Sequence, residues 1–134
     1  MESWNLVIVG SGPAALRAAI AAADAGTTPL LLESSGIGAG TAGTDLAGLA
    51  VSIDEVSSSG HRDDTISAGG ESTDKVAAAR VCGESLSVLA ELERWGLVLR
   101  RREGGLPHAA QLAGHSMPRM TGCGDATGRN ITRI

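Results

Sequence analysis

The chain has 134 residues, 43% of them hydrophobic and 19% charged, which is enough for one modest core and too apolar for a chain that stays disordered throughout. A net charge of −4 gives no electrostatic reason to expect nucleic acid or an anionic membrane as partner. With no Phe, no Tyr and two Trp, packing falls to Ala, Val, Leu and Ile, so the core should be thin.

Residues 5 to 9 read as a short buried strand ended by Gly10. Pro13 suits the first turn of a helix, the Ala-rich run continues it to Ala25, and Gly26 is placed to stop it. Pro29 to Glu33 is a second apolar strand, so the segment is a βαβ unit with a right-handed crossover. From Ser34 to Gly70 the composition turns to Gly, Ser, Thr and Ala, with weak apolar islands at Leu46 to Ile53 and at Thr65-Ile66. On composition this reads as a flexible linker or as a loop shaped by a ligand.

Order returns where Ser72-Thr73-Asp74 can cap a helix running to Trp95 and stopped by Gly96. Val81, Val88, Leu92 and Trp95 draw one apolar stripe on it. Leu97 to Arg102 is a predicted strand whose three arginines form a solvated edge. Gly104-Gly105 is a turn and Leu106 to Ser116 a loop or hairpin arm. The closing GDATGRNITRI opens one more element.

Gly10-x-Gly12-x-x-Ala15 matches the dinucleotide fingerprint, with Glu33 about 20 residues on at the end of the second strand. Gly10 permits the tight turn, Gly12 lets a pyrophosphate approach the backbone, and small Ala15 and Ala19 let the helix sit close to the sheet. Ser11, Pro13 and Ala14 complete the turn, and free amides at the positive end of the helix dipole face the phosphates. Glu33 should accept from ribose hydroxyls, and its charge disfavours the 2′-phosphate of NADP. This geometry does not separate FAD from NAD, which share the ADP half, and a glycine turn that merely packs is the competing reading. Cys82 and Cys123 stand outside any metal-ligand spacing and read as buried small residues or free thiols, so no metal is expected. No apolar run reaches the ~20 residues of a membrane span and no secretory signal is recognised, so the expected compartment is the cytoplasm.

Beyond residue 40 the chain resembles the family that holds fumarate reductase, the succinate dehydrogenase flavoprotein subunit and L-aspartate oxidase. The resemblance rests on GTAGTDLAGLAVSIDE (40 to 55), His61-x-x-Asp64-Thr65-x-x-Ala68-Gly69, ELERWGL (91 to 97), GHSMPR (114 to 119) and DATGR (125 to 129). It implies the start of a Rossmann-like, doubly wound FAD-binding domain occupying residues 1 to 134, with the substrate or capping domain absent. FAD replaces NAD as the expected cofactor, and Ser34, Gly40, Thr41, Ala42, Ala47 and Gly48 join the candidate cofactor-binding residues. The implied chemistry is hydride transfer between the flavin and a small dicarboxylate.

Respiratory succinate dehydrogenases attach FAD through a histidine that aligns with Thr41, so the resemblance implies non-covalent FAD. Leu112 stands where L-aspartate oxidases carry the acidic residue that reads the substrate amino group, and an aliphatic side chain cannot pair with an ammonium. Leu46 and Ala47 also replace that family's usual Gln-Gly. His115 and Ser116 match the edge of the dicarboxylate site, or form a loop satisfied by backbone; His61 reads as structural, tying an HxxDT turn to nearby backbone. The family's catalytic arginine and substrate histidines correspond to positions beyond Ile134, so no catalytic residue is expected within the chain. An NAD-binding dehydrogenase fragment and a non-catalytic remnant or interaction module are the rival readings.

Overall fold

The computed structural model describes residues 3–38, 40, 43 and 46–134. Two compact units emerge, one made of residues 1–47 and 125–134, the other of residues 48–124.

In the first unit, strand β1 (Val7–Val9) leads through the glycine turn into helix α1 (Pro13–Asp24), and strand β2 (Leu30–Leu32) returns parallel to β1. The register pairs Val7 with Leu30, Ile8 with Leu31 and Val9 with Leu32. Pro at the first turn costs no hydrogen bond there, and Gly26 at φ +80° closes the other end as expected. The sheet is thinly covered: Val9 is 80% exposed and no α1 side chain is fully buried. The chain's last helix, α4 (Thr127–Ile131), belongs to this unit. Thr127 Oγ1 donates to the Ala47 carbonyl at 3.0 Å and Gly128 N to the Leu46 carbonyl at 3.0 Å. The DATGR segment therefore pins residues 46 and 47.

The second unit holds all six buried apolar side chains among the described residues: Val51, Ala78, Cys82, Leu89, Leu97 and Leu99. None is aromatic: the chain has no Phe or Tyr, and Trp4 and Trp95 are both exposed. Short strand β3 (Leu49–Ala50) pairs antiparallel with β4 (Met120–Thr121). Gly48 precedes them, and a Cβ there would come within 2.7 Å of Met120 Sδ and of the Thr121 carbonyl.

Residues 55–69, expected to be linker or ligand-shaped loop, form a helix instead. Helix α2 (Glu55–Gly69) begins in a capping box: Asp54 Oδ1 accepts from Ser57 N at 2.6 Å, and Ser57 Oγ accepts from Asp54 N at 3.0 Å. Its Ser- and Asp-rich composition hides the period, because the face it buries carries Ser57 and His61 rather than aliphatic residues. His61 thus lies in a helix, not a turn.

Helix α3 (Lys75–Trp95) is capped by Asp74, whose Oδ1 accepts from Val76 N and Ala77 N, and ends at Gly96 with φ 115°. The expected apolar stripe is corrected. Val81 is 67% and Val88 47% exposed, whereas Ala78, Cys82 and Leu89 are buried. Small side chains win this face because α2 packs on it, with Thr65 Oγ1 3.7 Å from Cys82 Sγ.

Leu97 to Arg102 does not form the predicted strand. Arg101 makes one isolated bridge to Pro107, and Leu97 and Leu99 are buried as irregular backbone. The expected turn at Gly104-Gly105 is present, closed by Gly105 N donating to the Arg102 carbonyl. Among the described residues no helix is long and apolar enough to cross a membrane.

Candidate functional site

The glycine turn sits between β1 and α1 with its backbone bare. Gly10 adopts φ +107°, which a side chain resists, and its N–H donates to the Leu32 carbonyl at 2.8 Å, tying the turn to β2. Gly12 is the N-cap of α1 in extended conformation and, lacking a side chain, leaves the first-turn amides uncapped. A Cβ added at Gly10 or Gly12 would meet nothing within 4 Å, so the space over the turn is open.

Glu33 closes one side of that space. Ser11, 3% exposed, donates its hydroxyl to Glu33 Oε2 at 2.7 Å, while Glu33 Oε1 accepts from Ser34 N at 2.7 Å and Ser35 N at 2.9 Å. Ser11 Oγ also accepts from Gly38 N at 3.3 Å, fastening the loop after β2. The Ser11 hydroxyl, then the Ser35 and Ser34 amides, hold the Glu33 carboxyl below its ordinary value, so it is ionised at neutral pH. Val9, Gly10, Leu32, Glu33 and Ser34 line a shallow cleft of about 400 Å³. The residues present fit an ADP group: donors at a helix mouth for phosphate, and a fixed carboxylate beside them with a lone pair to spare for ribose.

The remaining candidates are spread differently. Gly10 to Ala15 stand together with Glu33 and Ser34, but Thr41 and Ala42 lie outside the described residues, and Gly40 is exposed. Ala47 is exposed, its carbonyl held by Thr127. Gly48 is buried in the second unit, where close packing against Met120 already explains its lack of a side chain.

His115 and Ser116 also belong to the second unit, in a loop fastened by Asp64 of α2. Asp64 Oδ2 accepts from Ser116 N at 2.7 Å, Ser116 Oγ at 2.8 Å and Arg119 Nη2 at 2.6 Å. Chiefly the two Ser116 donors, with Arg119 adding to them, lower the Asp64 carboxyl to about 2. The imidazole Nδ1 of His115 is buried without a hydrogen-bond partner. His61 Nδ1 lies 3.0 Å from Ser52 Oγ. Burial, then the Arg119 charge, lowers its proton affinity. Asp64 and Arg119 fall inside the HxxDT and GHSMPR motifs, but the sequence assigns neither a role.

A strand, a glycine turn, a helix opened by that turn and a carboxylate ending the parallel neighbour define a dinucleotide-binding α/β unit. More specifically, a family model described as FAD binding domain matches residues 5–134, and the chain belongs to that family. It is 32% identical over 132 residues to L-aspartate oxidase 2-a, chloroplastic, of Nicotiana tabacum, covering 97% of this chain and 20% of that protein. It is 30% identical to the fumarate reductase flavoprotein subunit of Mycobacterium tuberculosis, covering 95% of this chain and 22% of the relative. Among solved structures, the Mycobacterium smegmatis Sdh1 complex in the apo form superposes with a TM-score of 0.91 at 29% identity, over 98% of this chain and 23% of that one. The chain thus spans about a fifth of the length of these relatives, and its cofactor is FAD.

Proposed function

We propose that the chain is the FAD-binding portion of an oxidoreductase that acts on a small dicarboxylate of the fumarate, succinate or L-aspartate type. The observation that carries this reading is the ionised Glu33 carboxylate held beside the bare glycine turn by Ser11 at 2.7 Å. In this reading the amides at the α1 mouth grip the pyrophosphate, and Glu33 Oε2 accepts from the ribose. The open space at Gly10 and Gly12 admits the phosphates to backbone distance.

FAD, when bound, supplies hydride chemistry at its flavin ring. The chain's own contribution is binding and placement. Gly40, Thr41, Ala42 and Ala47 are proposed to line the flavin, with no covalent attachment because Thr41 has no imidazole to offer. His115 is proposed to stand at the edge of the dicarboxylate site, on a loop that Ser116 holds through Asp64. The substrate-assigning residues are expected elsewhere in a complete enzyme. A chain with only two cysteines and an acidic charge balance suits a reducing aqueous compartment, for which the cytoplasm is proposed.

Reconstitution tests this directly. The chain is incubated with FAD or NAD, desalted, and then denatured in acid. Flavin absorbance retained after desalting, released by acid and displaced by excess ADP supports the reading. Uptake of NAD without FAD would make it an NAD-binding fragment, and uptake of neither would make it a non-catalytic module.

A further inference from the structure

His61 lies on the buried face of α2 at 9% exposure, and the charges around it are uneven. Its Nδ1 is 3.0 Å from the uncharged Ser52 Oγ. Val51, just before Ser52, donates its N–H to the Arg119 carbonyl at 2.9 Å, so the segment that holds the imidazole also holds the arginine. From α3 comes Cys82, whose thiol meets Thr65 one turn further along α2. Burial is the largest influence against a proton on the ring, Arg119 and His115 add to it, and Asp64 opposes them.

The two repelling groups belong to one stretch of chain. Residues 114 to 118 carry His115 and end at Pro118, next to Arg119, and Gly114 at φ +82° stands at their start. This loop lies so close to α2 that a Cβ at Gly60 would come within 3.4 Å of Ser116 Oγ. Among the described residues its polar hold on α2 is one carboxylate oxygen: Asp64 Oδ2 accepts from Ser116 N and Ser116 Oγ, and also from Arg119 Nη2. Ser116, Met117 and Pro118 are exposed, so lifting the loop would break few apolar contacts. Arg119 would remain, because its N–H donates to the Ala110 carbonyl at 3.1 Å and the Val51 N–H holds its carbonyl. Opening at residues 114–118 thus carries His115 away and lets water screen the Arg119 charge, while Asp64 stays on α2 with His61.

We propose that Asp64 and residues 114–118 form an acid-released clasp: a proton on His61 frees the loop from α2 while the rest of the second unit stays folded. The released state binds that proton more tightly than the clasped one, so the clasp is intact above pH 6.5 and weakens as pH falls below it. In the reading proposed above, the same release withdraws His115 from the edge of the dicarboxylate site; the clasp itself does not depend on that reading.

The test is amide hydrogen exchange of the full chain, read residue by residue by NMR from about pH 8 to about pH 5, the range over which histidine changes charge, and corrected for intrinsic rates. Protection of the Ser116 N–H should be constant above pH 6.5 and fall by up to about tenfold per pH unit below it, the slope of one bound proton. The fall should level off where the His61 ring protons of the same chain show that the clasped imidazole has titrated. At every pH the Leu89 N–H in α3 should stay protected at least about tenfold more than Ser116, because the clasp opens without unfolding the core. His61→Gln, which keeps a polar partner for Ser52 but takes no proton, should remove the slope. If that variant does not fold, the match between the Ser116 profile and the His61 ring titration in the parent carries the test. Flat Ser116 protection across the range, a slope that survives in His61→Gln, or equal protection of Ser116 and Leu89 would overturn the proposal.

Discussion

Asp64 and His61 make the second unit sensitive to acid in two separate ranges. The folded carboxyl of Asp64 is lowered from 3.8 to about 2, so its contribution is complete above 3.8 and is lost as pH falls toward 2. His61 is also lowered, from 6.5, because burial penalises the imidazolium; the fold therefore favours the neutral ring and begins to lose stability as pH falls below 6.5. Urea unfolding followed against pH should show both slopes, with His61→Gln flattening the upper and Asp64→Asn the lower. Unchanged pH profiles in both variants would mean that neither group is coupled to folding. These residues were only half legible in the sequence. The family resemblance places Asp64 in a motif, but its partners are Ser116 and Arg119, more than 50 positions away, and no local pattern announces such a pairing.

Helices α1 and α3 were legible because their ends are written in Pro13, Gly26, Asp74 and Gly96, whose backbone preferences act locally. Helix α2 escaped because its signal is a capping box of Asp54 and Ser57 at the head of a polar run, with no aliphatic period behind it. The apolar stripe expected on α3 is displaced for a related reason: α2 demands small side chains at Ala78 and Cys82, and Val81 and Val88 face solvent. The correction makes a sharp contrast. Cys82→Leu overfills a site that is 1% exposed and should cost about 1–3 kcal/mol. Val81→Ser, at 67% exposure, should stay within about 0.5 kcal/mol of the parent. Denaturant midpoints at constant slope compare the two, and the reverse order would restore the original stripe.

At the scale of the molecule, an absence of Phe and Tyr leaves a core of six buried aliphatic or small side chains among the described residues, all in the second unit. The βαβ unit has none, so its stability is expected to depend on what binds it; saturating FAD should raise the melting temperature by several degrees. No shift at concentrations that fill the site would show that the nucleotide does not support the fold. The glycine turn was readable because a turn at a helix mouth is a local device, built from consecutive backbone groups. The cluster at Arg119 was not, because it is assembled from segments distant in the chain.

Gly12 offers the most direct test that main-chain donors at the α1 mouth hold the cofactor. Its φ of −70° suits any residue and a Cβ there meets nothing, so Gly12→Ser should fold at least as well as the parent, its hydroxyl capping α1. The same hydroxyl would occupy the amides and the space that the proposed site gives to the pyrophosphate. Fluorescence titration with FAD should therefore show binding lost in Gly12→Ser at an unchanged melting temperature of the unliganded chain; undiminished FAD affinity in that variant would contradict the account.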